Sequence, residues 1–170
     1  MNEGMYSSDR QDWATPWSVF NELNAEFRFT LDPCASAGNA KCKQYFTEED
    51  NGLTQSWTGH TVFMNPPYGK DIKDWVYKAK TESHLRTHVN KLIAETSYPS
   101  GKRTIVVGLL PARTDTRWFH DHVYGKSQIR FLKGRIKFEG ATNSAPFPSM
   151  VVIWGGRIGV GTDVIDVNDV

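Results

Sequence analysis

Apolar residues occur along the chain in short runs that are separated by polar turns. The most continuous run, residues 104–110, is rich in Val, Ile and Leu, as a strand buried on both faces of a sheet would be. A second compact run at 61–64 lies between Gly59 and Asn65 and also predicts a strand. The remaining predicted strands are shorter apolar segments at 27–31, 45–47, 128–132, 135–138 and 150–154.

Apolar residues at helical spacing separate these strands. The Thr15-Pro16 pair predicts the start of the first helix, with Thr15 as the N-cap and Pro16 at the first helical position. A longer helical pattern covers 71–96, with a break near His84, and a short helix is expected at 115–122. Strands that alternate with helices predict an α/β domain with a mostly parallel sheet.

Length and patterning favour a single domain. The chain has 170 residues and a hydrophobic fraction of 39%, which is enough for one well-formed core but too short for two ordinary domains. We expect a flexible N-terminal segment at 1–12, the domain itself at 13–156, and a tail or edge strand at 157–170. The predicted strands 135–138 and 150–154 are expected to pair as an antiparallel C-terminal hairpin.

Charge and cysteine content limit the classes of partner. The formal net charge is +1, which neither marks a strongly basic nucleic-acid-binding domain nor excludes one with a local basic face. Such a face would be built from Lys41, Lys43, Arg130, Lys133, Arg135 and Lys137. Two cysteines, Cys34 and Cys42, predict no disulfide framework and lack the paired spacing of a metal site. No run resembles a signal peptide or approaches the roughly 20 apolar residues of a membrane span, so we expect a cytoplasmic protein.

The sequence Asn65-Pro66-Pro67-Tyr68 follows directly on the predicted strand at 61–64. In open α/β sheets, ligands bind at the carboxyl ends of strands, so a functional site is expected here. The prolines remove two backbone donors and leave carbonyl oxygens as acceptors beside the Asn65 carboxamide, while Tyr68 adds an aromatic face. A rigid turn without function would also explain two prolines, but the position after a buried strand favours a site.

These groups suit the activation of an exocyclic amine on an aromatic ring. The N6 of adenine is a poor nucleophile because its lone pair is delocalised into the ring. The Asn65 side-chain oxygen and the Pro66 carbonyl can accept both amine hydrogens, which frees the lone pair for in-line attack on a sulfonium methyl. Tyr68 would stack on the base, a contact worth about 1–3 kcal/mol, and the base must leave the duplex to reach such a pocket.

Further motifs accompany this tetrapeptide. They are Trp13-x-Thr15-Pro16, Leu31-Asp32-Pro33-Cys34-Ala35, Leu110-Pro111-Ala112-Arg113 and Gly134-Arg135-Ile136-Lys137-Phe138. Together with Asn65-Pro66-Pro67-Tyr68 they resemble the motifs of phage-type, Dam-like DNA N6-adenine methyltransferases over about residues 13–154. The resemblance implies a single methyltransferase-type, Rossmann-like domain that uses S-adenosyl-L-methionine and acts on DNA in a bacterium or a phage-infected host cell. It leaves open whether the protein forms a homo-oligomer.

The resemblance also implies roles for individual residues. The catalytic motif is matched by Asn65, Pro66, Pro67 and Tyr68. Cofactor-binding positions are matched by Thr15, Pro16, Asp32, Pro33, Cys34, Ala35 and Asn65. Asp50 is a candidate for the adenosine moiety, and the alternative is an acidic turn residue in solvent. Candidates for contacts with DNA are Arg113, Arg135 and Lys137. One departure concerns the loop after Asp32, where related methyltransferases carry a Gly-rich turn but only Gly38 is present, so this cofactor loop must be built differently.

Other interpretations remain open at this stage. A protein glutamine side chain or an RNA base amine would present a similar planar group to the motif. A non-catalytic DNA-binding protein could retain the fold, although a decayed enzyme usually loses its catalytic groups. The Pro33-Cys34 dipeptide is typical of the nucleophile of cytosine-C5 methyltransferases, but that chemistry needs a thiolate and would not need Asn65-Pro66-Pro67-Tyr68. Cys34 as a small buried residue is the simpler interpretation.

Overall fold

The computed structural model describes residues 13–93, 103–161 and 165–167, with the backbone alone over 85–93 and at Val160. The helices of this part of the chain are α1 (Trp17–Phe27), α2 (Ile72–Ile93) and α3 (Arg117–His122). Its strands are β1 (Thr61–Met64), β2 (Ile105–Pro111), β3 (Gln128–Lys133), β4 (Ser149–Trp154), β5 (Gly159–Val160) and β6 (Ile165–Asp166). The predicted N-terminal segment 1–12 and the end of the predicted helix at 94–96 lie outside the described residues.

The strands form a mixed sheet. β1 pairs with β2 in parallel, from Thr61 opposite Ile105 to Met64 opposite Gly108. β4 lies between β2 and β3 and is antiparallel to both, while β5 and β6 run parallel to β3. Among the strands that the structure describes, β4 therefore runs against the others. The expected α/β class is confirmed, but long antiparallel ladders at the centre make the sheet mixed rather than mostly parallel.

Two isolated bridges continue the sheet beyond β1. Leu31 pairs with Val62 and Asp32 pairs with Tyr45, both in parallel. Because these segments run in the same direction as β1, β2 and β3, their carboxyl ends share one side of the sheet, which we call the carboxyl edge. The predicted strands at 27–31 and 45–47 are thus reduced to single bridges at that edge.

The core lies on both faces of the central strands. Every residue of β1 and β4 is buried, which explains why these segments are nearly continuous apolar runs. α1 packs its buried face, formed by Val19, Phe20 and Leu23, against the sheet, and the rings of Phe20 and Phe63 lie 5.1 Å apart. Burying one such side chain contributes about 1.5–3 kcal/mol to folding. None of the helices in the described ranges is both long and apolar enough to cross a membrane.

The start of α1 differs from the prediction. Pro16, not Thr15, occupies the N-cap position, and no side chain caps the helix. Thr15 is instead buried, and its hydroxyl is engaged elsewhere in the fold. The predicted break near His84 is also wrong, because α2 continues through that residue.

The predicted C-terminal hairpin is wrong in its first strand. Segment 135–138 forms no strand, and β4 pairs with β3 instead. β2 and β3 occupy both edges of β4, so no edge of β4 remains for 135–138. The segment keeps an alternating burial pattern, with Ile136 and Phe138 buried and Arg135 and Lys137 exposed. A segment without strand pairing can therefore have the same alternating sequence pattern as a strand.

Candidate active site

The order of the strands creates a crevice at the carboxyl edge. The segment at Leu31 and Asp32 lies between Tyr45 and β1 in the sheet. After Asp32 the chain first pairs on the Tyr45 side of this segment and then returns to pair on its other side as β1. Such a reversal of strand order separates the loops that follow the two neighbouring strands, and ligands of α/β proteins bind in the resulting crevice. Here the loops are those that follow Asp32 and Met64, so the crevice lies between Asp32 and Asn65.

Two adjoining cavities occupy this crevice. The inner cavity, of about 80 Å³, is lined by Trp13, Ala14, Thr15, Asp32, Cys34, Asn39, Lys41, Phe63, Asn65 and Pro67. A larger outer cleft of about 1060 Å³ is lined by residues of 33–39 and 47–52 together with Pro67 and Trp75. The two share Cys34, Asn39 and Pro67 as a common wall. The arrangement can hold an elongated ligand with one end beside Asn65 and the other beside the 47–52 turn.

The 47–52 turn packs closely against the loop after Asp32 because residue 52 is a glycine. A Cβ at Gly52 would lie 2.0 Å from the Pro33 carbonyl oxygen, closer than any real contact. The turn and the loop therefore form one continuous wall of the outer cleft. A side chain at position 52 would force them apart.

The Asn65 carboxamide is held in a defined orientation. Its nitrogen donates hydrogen bonds to the Trp13 carbonyl and, over 2.8 Å, to the Thr15 hydroxyl. A carbonyl can only accept, so the nitrogen rather than the oxygen must face Trp13. Asn65 Oδ1 is buried, and no donor within the described part of the chain bonds to it. The protein thus keeps an oriented acceptor without a partner, which is costly unless a ligand supplies the donor.

Tyr68 follows Asn65 by three residues in the chain but is packed into the protein. Its side chain is buried, and its hydroxyl donates to the Leu109 carbonyl over 3.0 Å. The rings of Trp13, Tyr68, Phe138 and Phe147 contact one another at centroid distances of 5.2–6.4 Å, and we call these four the aromatic cluster. Burial raises the pKa of the Tyr68 hydroxyl well above its usual value, so this group stays neutral. Of the two prolines, Pro66 is buried and Pro67 lines both cavities.

Asp32 supplies a buried carboxylate to the same inner cavity. Its oxygens accept backbone hydrogen bonds from Cys34 over 3.4 Å and from Lys41 over 3.1 Å. Burial raises the pKa of Asp32 to about 6, although these hydrogen bonds and the charge of Lys41 act in the other direction. A cation that enters the cavity would compensate this buried charge. Pro33 is buried, and both Pro33 and Ala35 line the outer cleft.

The carboxylate of Asp50 is used within its own turn. It accepts hydrogen bonds from the Thr47 backbone and hydroxyl, each over 2.9 Å, and these bonds lower the pKa of Asp50. The residues of this turn that line the outer cleft are Thr47, Glu48, Glu49, Asn51 and Gly52, and Asp50 is not among them. The geometry therefore favours the other expectation for Asp50, an acidic turn residue in solvent.

Cys34 lies in the site as a neutral thiol. Burial and the nearby charge of Asp32 raise the pKa of the Cys34 thiol well above its usual value. A thiolate nucleophile is thus disfavoured in this environment. The described ranges contain no cluster of His, Cys, Asp and Glu side chains that could hold a metal ion.

The basic residues separate into two groups. Arg113, Arg135 and Lys137 are exposed, and they follow the carboxyl ends of β2 and β3, on the same edge as Asn65. Lys41 and Arg130, which the sequence placed on the same basic face, are buried in ion pairs with Glu139 and Glu26. That part of the prediction is wrong. The role of Lys41 in lining the inner cavity was missed because no motif distinguishes a buried lysine from an exposed one.

Comparison with known proteins identifies relatives. The sequence profile of the family described as DNA N-6-adenine-methyltransferase (Dam) matches residues 4–159. A DNA N-6-adenine-methyltransferase of Haemophilus phage HP1 (strain HP1c1) is 34% identical over 134 residues, which cover 77% of this chain and 68% of that protein. One from Escherichia phage T1 is 24% identical over 157 residues, covering 91% of this chain and 58% of that protein. Among solved structures, a modification subunit of a putative type I restriction enzyme from Vibrio vulnificus YJ016 is similar with a TM-score of 0.45 at 11% identity, covering 96% of this chain and 52% of that one.

Proposed function

The chain belongs to the DNA N-6-adenine-methyltransferase (Dam) family, and from this membership we propose that it transfers a methyl group from S-adenosyl-L-methionine to the N6 amine of adenine in DNA. The observation that carries the proposal is the buried Asn65 Oδ1, an oriented acceptor without a donor. An exocyclic amine of a base supplies the missing donor. Membership of a DNA-modifying family favours an adenine in DNA over a protein glutamine or an RNA base.

In this proposal Asn65 and Pro66 activate the amine. Asn65 Oδ1 and the Pro66 carbonyl accept the two N6 hydrogens and draw the nitrogen toward tetrahedral geometry. The N6 lone pair then forms the new bond to the methyl carbon, the electron pair of the broken carbon–sulfur bond remains on sulfur, and one N6 proton leaves to water. Because the Asn65 amide is held by Trp13 and Thr15 before the base arrives, little reorganisation is needed at the moment of reaction.

The residues around the two cavities fit the cofactor. S-Adenosyl-L-methionine supplies an electrophilic methyl group on a sulfonium that also carries an amino-acid end and an adenosine end. The buried carboxylate of Asp32 suits the cationic ammonium of the amino-acid end. The outer cleft offers carboxylates at Glu48 and Glu49 and an aromatic side chain at Trp75, which suit the ribose hydroxyls and the adenine ring. Glu48 and Glu49 thus replace Asp50 as candidates for the adenosine end.

The position of the acceptor supports base flipping. Asn65 Oδ1 is buried, so a base inside a duplex cannot reach it, and the target nucleotide must be extruded. We infer that the extruded base lies against the Tyr68 side of the aromatic cluster. Arg113, Arg135 and Lys137 then contact phosphates around the opening.

We further propose that the domain is Rossmann-like in strand direction, with β4 as the reversed strand.

Nucleoside analysis tests the proposal. The protein is incubated with S-adenosyl-L-methionine labelled in its methyl group and with unmethylated DNA, and the DNA is digested to nucleosides. The expected result is label in N6-methyladenine, with none above background for Asn65→Ala. Label only in N4-methylcytosine or 5-methylcytosine would make the substrate assignment wrong. RNA and protein are added as alternative substrates in parallel reactions. Label in one of these but not in DNA would favour an RNA base amine or a protein glutamine side chain as the target.

A further inference from the structure

The loop that follows Asp32 has few free donors for an anion. Several of its backbone N–H groups already donate within the protein, to Asp32 Oδ1 and Oδ2, Phe46, Asn39 and Ser36. The donors are those of Cys34, Ala35, Ser36, Asn39, Ala40 and Lys41. In a Gly-rich turn such groups would face the ligand, because anions bind at clusters of unpaired backbone N–H groups. The cofactor nevertheless carries an α-carboxylate at its amino-acid end, so this anion needs another partner.

Lys41 is the cation best situated for that role. Its side chain is only 3% exposed, and the residue lines the inner cavity together with Asp32 and Asn65. Its ammonium lies 3.2 Å from both carboxylate oxygens of Glu139 and 4.1 Å from the centre of the Trp17 ring. The charge of this ammonium also opposes the rise that burial causes in the pKa of Asp32. A buried lysine is uncommon and needs a compensating anion.

We propose that Lys41 binds the α-carboxylate of the cofactor and so replaces the Gly-rich turn, while Asp32 binds the α-ammonium. This inference rests on the proposed function, because it assumes that the ligand is S-adenosyl-L-methionine. Both residues line the inner cavity, and their charges are opposite in sign to the two charges of the amino-acid end. Recognition of the zwitterion therefore relies on side chains rather than on backbone amides.

Glu139 acts as the counterion of Lys41 before the cofactor binds. Its side chain is 37% exposed, so it can turn to solvent without leaving a buried unpaired acid. Its backbone N–H bonds to the Ala14 carbonyl over 2.9 Å, which keeps residue 139 beside the cavity when the side chain moves. Glu139 thus competes with the cofactor carboxylate for the same ammonium. Removing its charge is expected to strengthen cofactor binding by a few fold.

A pair of ligands that differ only in the α-carboxylate tests whether the protein binds that group through Lys41. Isothermal titration calorimetry compares S-adenosyl-L-methionine with its decarboxylated analogue, which keeps the ammonium and the sulfonium. The wild-type protein is expected to prefer the carboxylated ligand by roughly 10- to 100-fold, as for the loss of a charge-assisted hydrogen bond. Equal affinity of the wild-type protein for both ligands would overturn the proposal without any variant.

Variants locate the preference. Lys41→Met should weaken binding of S-adenosyl-L-methionine and abolish the preference while leaving the affinity for the decarboxylated analogue little changed. Lys41→Arg should restore part of the preference, and Glu139→Gln should increase it. If Lys41→Met weakens the binding of both ligands equally, Lys41 has only a structural role and the proposed contact with the α-carboxylate is refuted. If the wild-type protein binds S-adenosyl-L-methionine but Lys41→Met keeps the preference, Lys41 does not bind the α-carboxylate, while the proposed function still stands. Binding of neither ligand by the wild-type protein would overturn the proposed function as well.

Discussion

The inner cavity combines buried charged groups with a neutral acceptor. The proposed methionine end consists of Asp32, Lys41 and Glu139, and two of these three side chains are almost fully buried. The proposed base end consists of Asn65 and the aromatic cluster, without an ionised group among them. Charges that hold a ligand equally well in the ground state and in the transition state contribute to binding. An acceptor whose hydrogen bond strengthens as the amine becomes tetrahedral contributes to the rate instead. The difference between the two ends predicts a separation of binding from chemistry.

The largest effect is expected at the base end. Asn65→Ala removes the oriented acceptor and should lower turnover by at least about 100-fold, as for other preorganised polar partners of a transition state. Cofactor affinity should change little, because the methionine end is intact. Steady-state methylation together with cofactor titration checks both quantities. A loss of affinity with normal turnover would reverse the roles assigned to the two ends.

The next effect concerns the charge of Asp32. Burial raises the pKa of Asp32 to about 6 in the protein without ligand, so the carboxylate is protonated below that pH and ionised above it. A cationic ligand binds the ionised form, so affinity should fall about tenfold per pH unit below 6 and level off above it. Asp32→Asn should weaken binding at pH 7 by roughly 10- to 100-fold and flatten the profile.

Asp50 serves as the matched control for Asp32. Asp50→Asn changes an exposed carboxylate in the neighbouring turn and can still accept a bond from Thr47. Its cofactor affinity and its pH profile should equal those of the wild-type protein in the same calorimetric titrations. A profile that is flattened by Asp50→Asn instead would support the expectation that Asp50 binds the cofactor.

A smaller effect on rate is expected at Thr15. Thr15→Val keeps the shape of the side chain but removes one of the two acceptors that orient the Asn65 amide. The loss of about 1 kcal/mol of orientation corresponds to roughly 5- to 10-fold in rate. Thr15→Ser keeps the hydroxyl and should be close to wild type in single-turnover methylation. Weaker cofactor binding by Thr15→Val at unchanged rate would assign Thr15 to the cofactor, as the resemblance implies.

The smallest effect on catalysis is expected for the Tyr68 hydroxyl. Tyr68→Phe keeps the ring but removes the hydrogen bond to the Leu109 carbonyl. The free energy of unfolding should fall by about 1 kcal/mol, while the Michaelis constant for DNA changes by less than about threefold. Chemical denaturation and steady-state kinetics measure the two. Tyr68→Ala, which removes the ring, should raise that Michaelis constant much more, and an equal effect of both variants would refute stacking by the ring.

Local patterns predicted the strands next to the site but not the contacts that complete it. The strand before Asn65 and the end of the segment at Asp32 could be located from apolar runs and turn residues alone. The bond between Asn65 and Thr15 spans 50 residues and the pair of Lys41 with Glu139 spans 98, and no local periodicity encodes such contacts. The carboxylate of Asp50 is satisfied by Thr47 within its own turn, and no local pattern distinguishes such a residue from one that faces a ligand.

Segment 135–138 illustrates a limit of pattern analysis. Its alternation of buried and exposed residues is real, but whether it forms a strand depends on a partner edge, and β3 had already taken that edge of β4. The same applies to Lys41 and Arg130, whose burial depends on Glu139 and Glu26, each about a hundred residues away in the chain. Pairing partners and counterions are properties of the whole fold.

The separation of binding from chemistry is tested most directly by single-turnover methylation of one duplex at saturating DNA and cofactor. The measurement compares the wild-type protein with Asn65→Ala and Asp32→Asn, each at a cofactor concentration well above its own dissociation constant. We predict that Asp32→Asn recovers a rate constant within a few fold of wild type, whereas Asn65→Ala remains at least about 100-fold slower. A near-normal rate constant for Asn65→Ala under these conditions would contradict the role of the buried acceptor, and with it the account of this site.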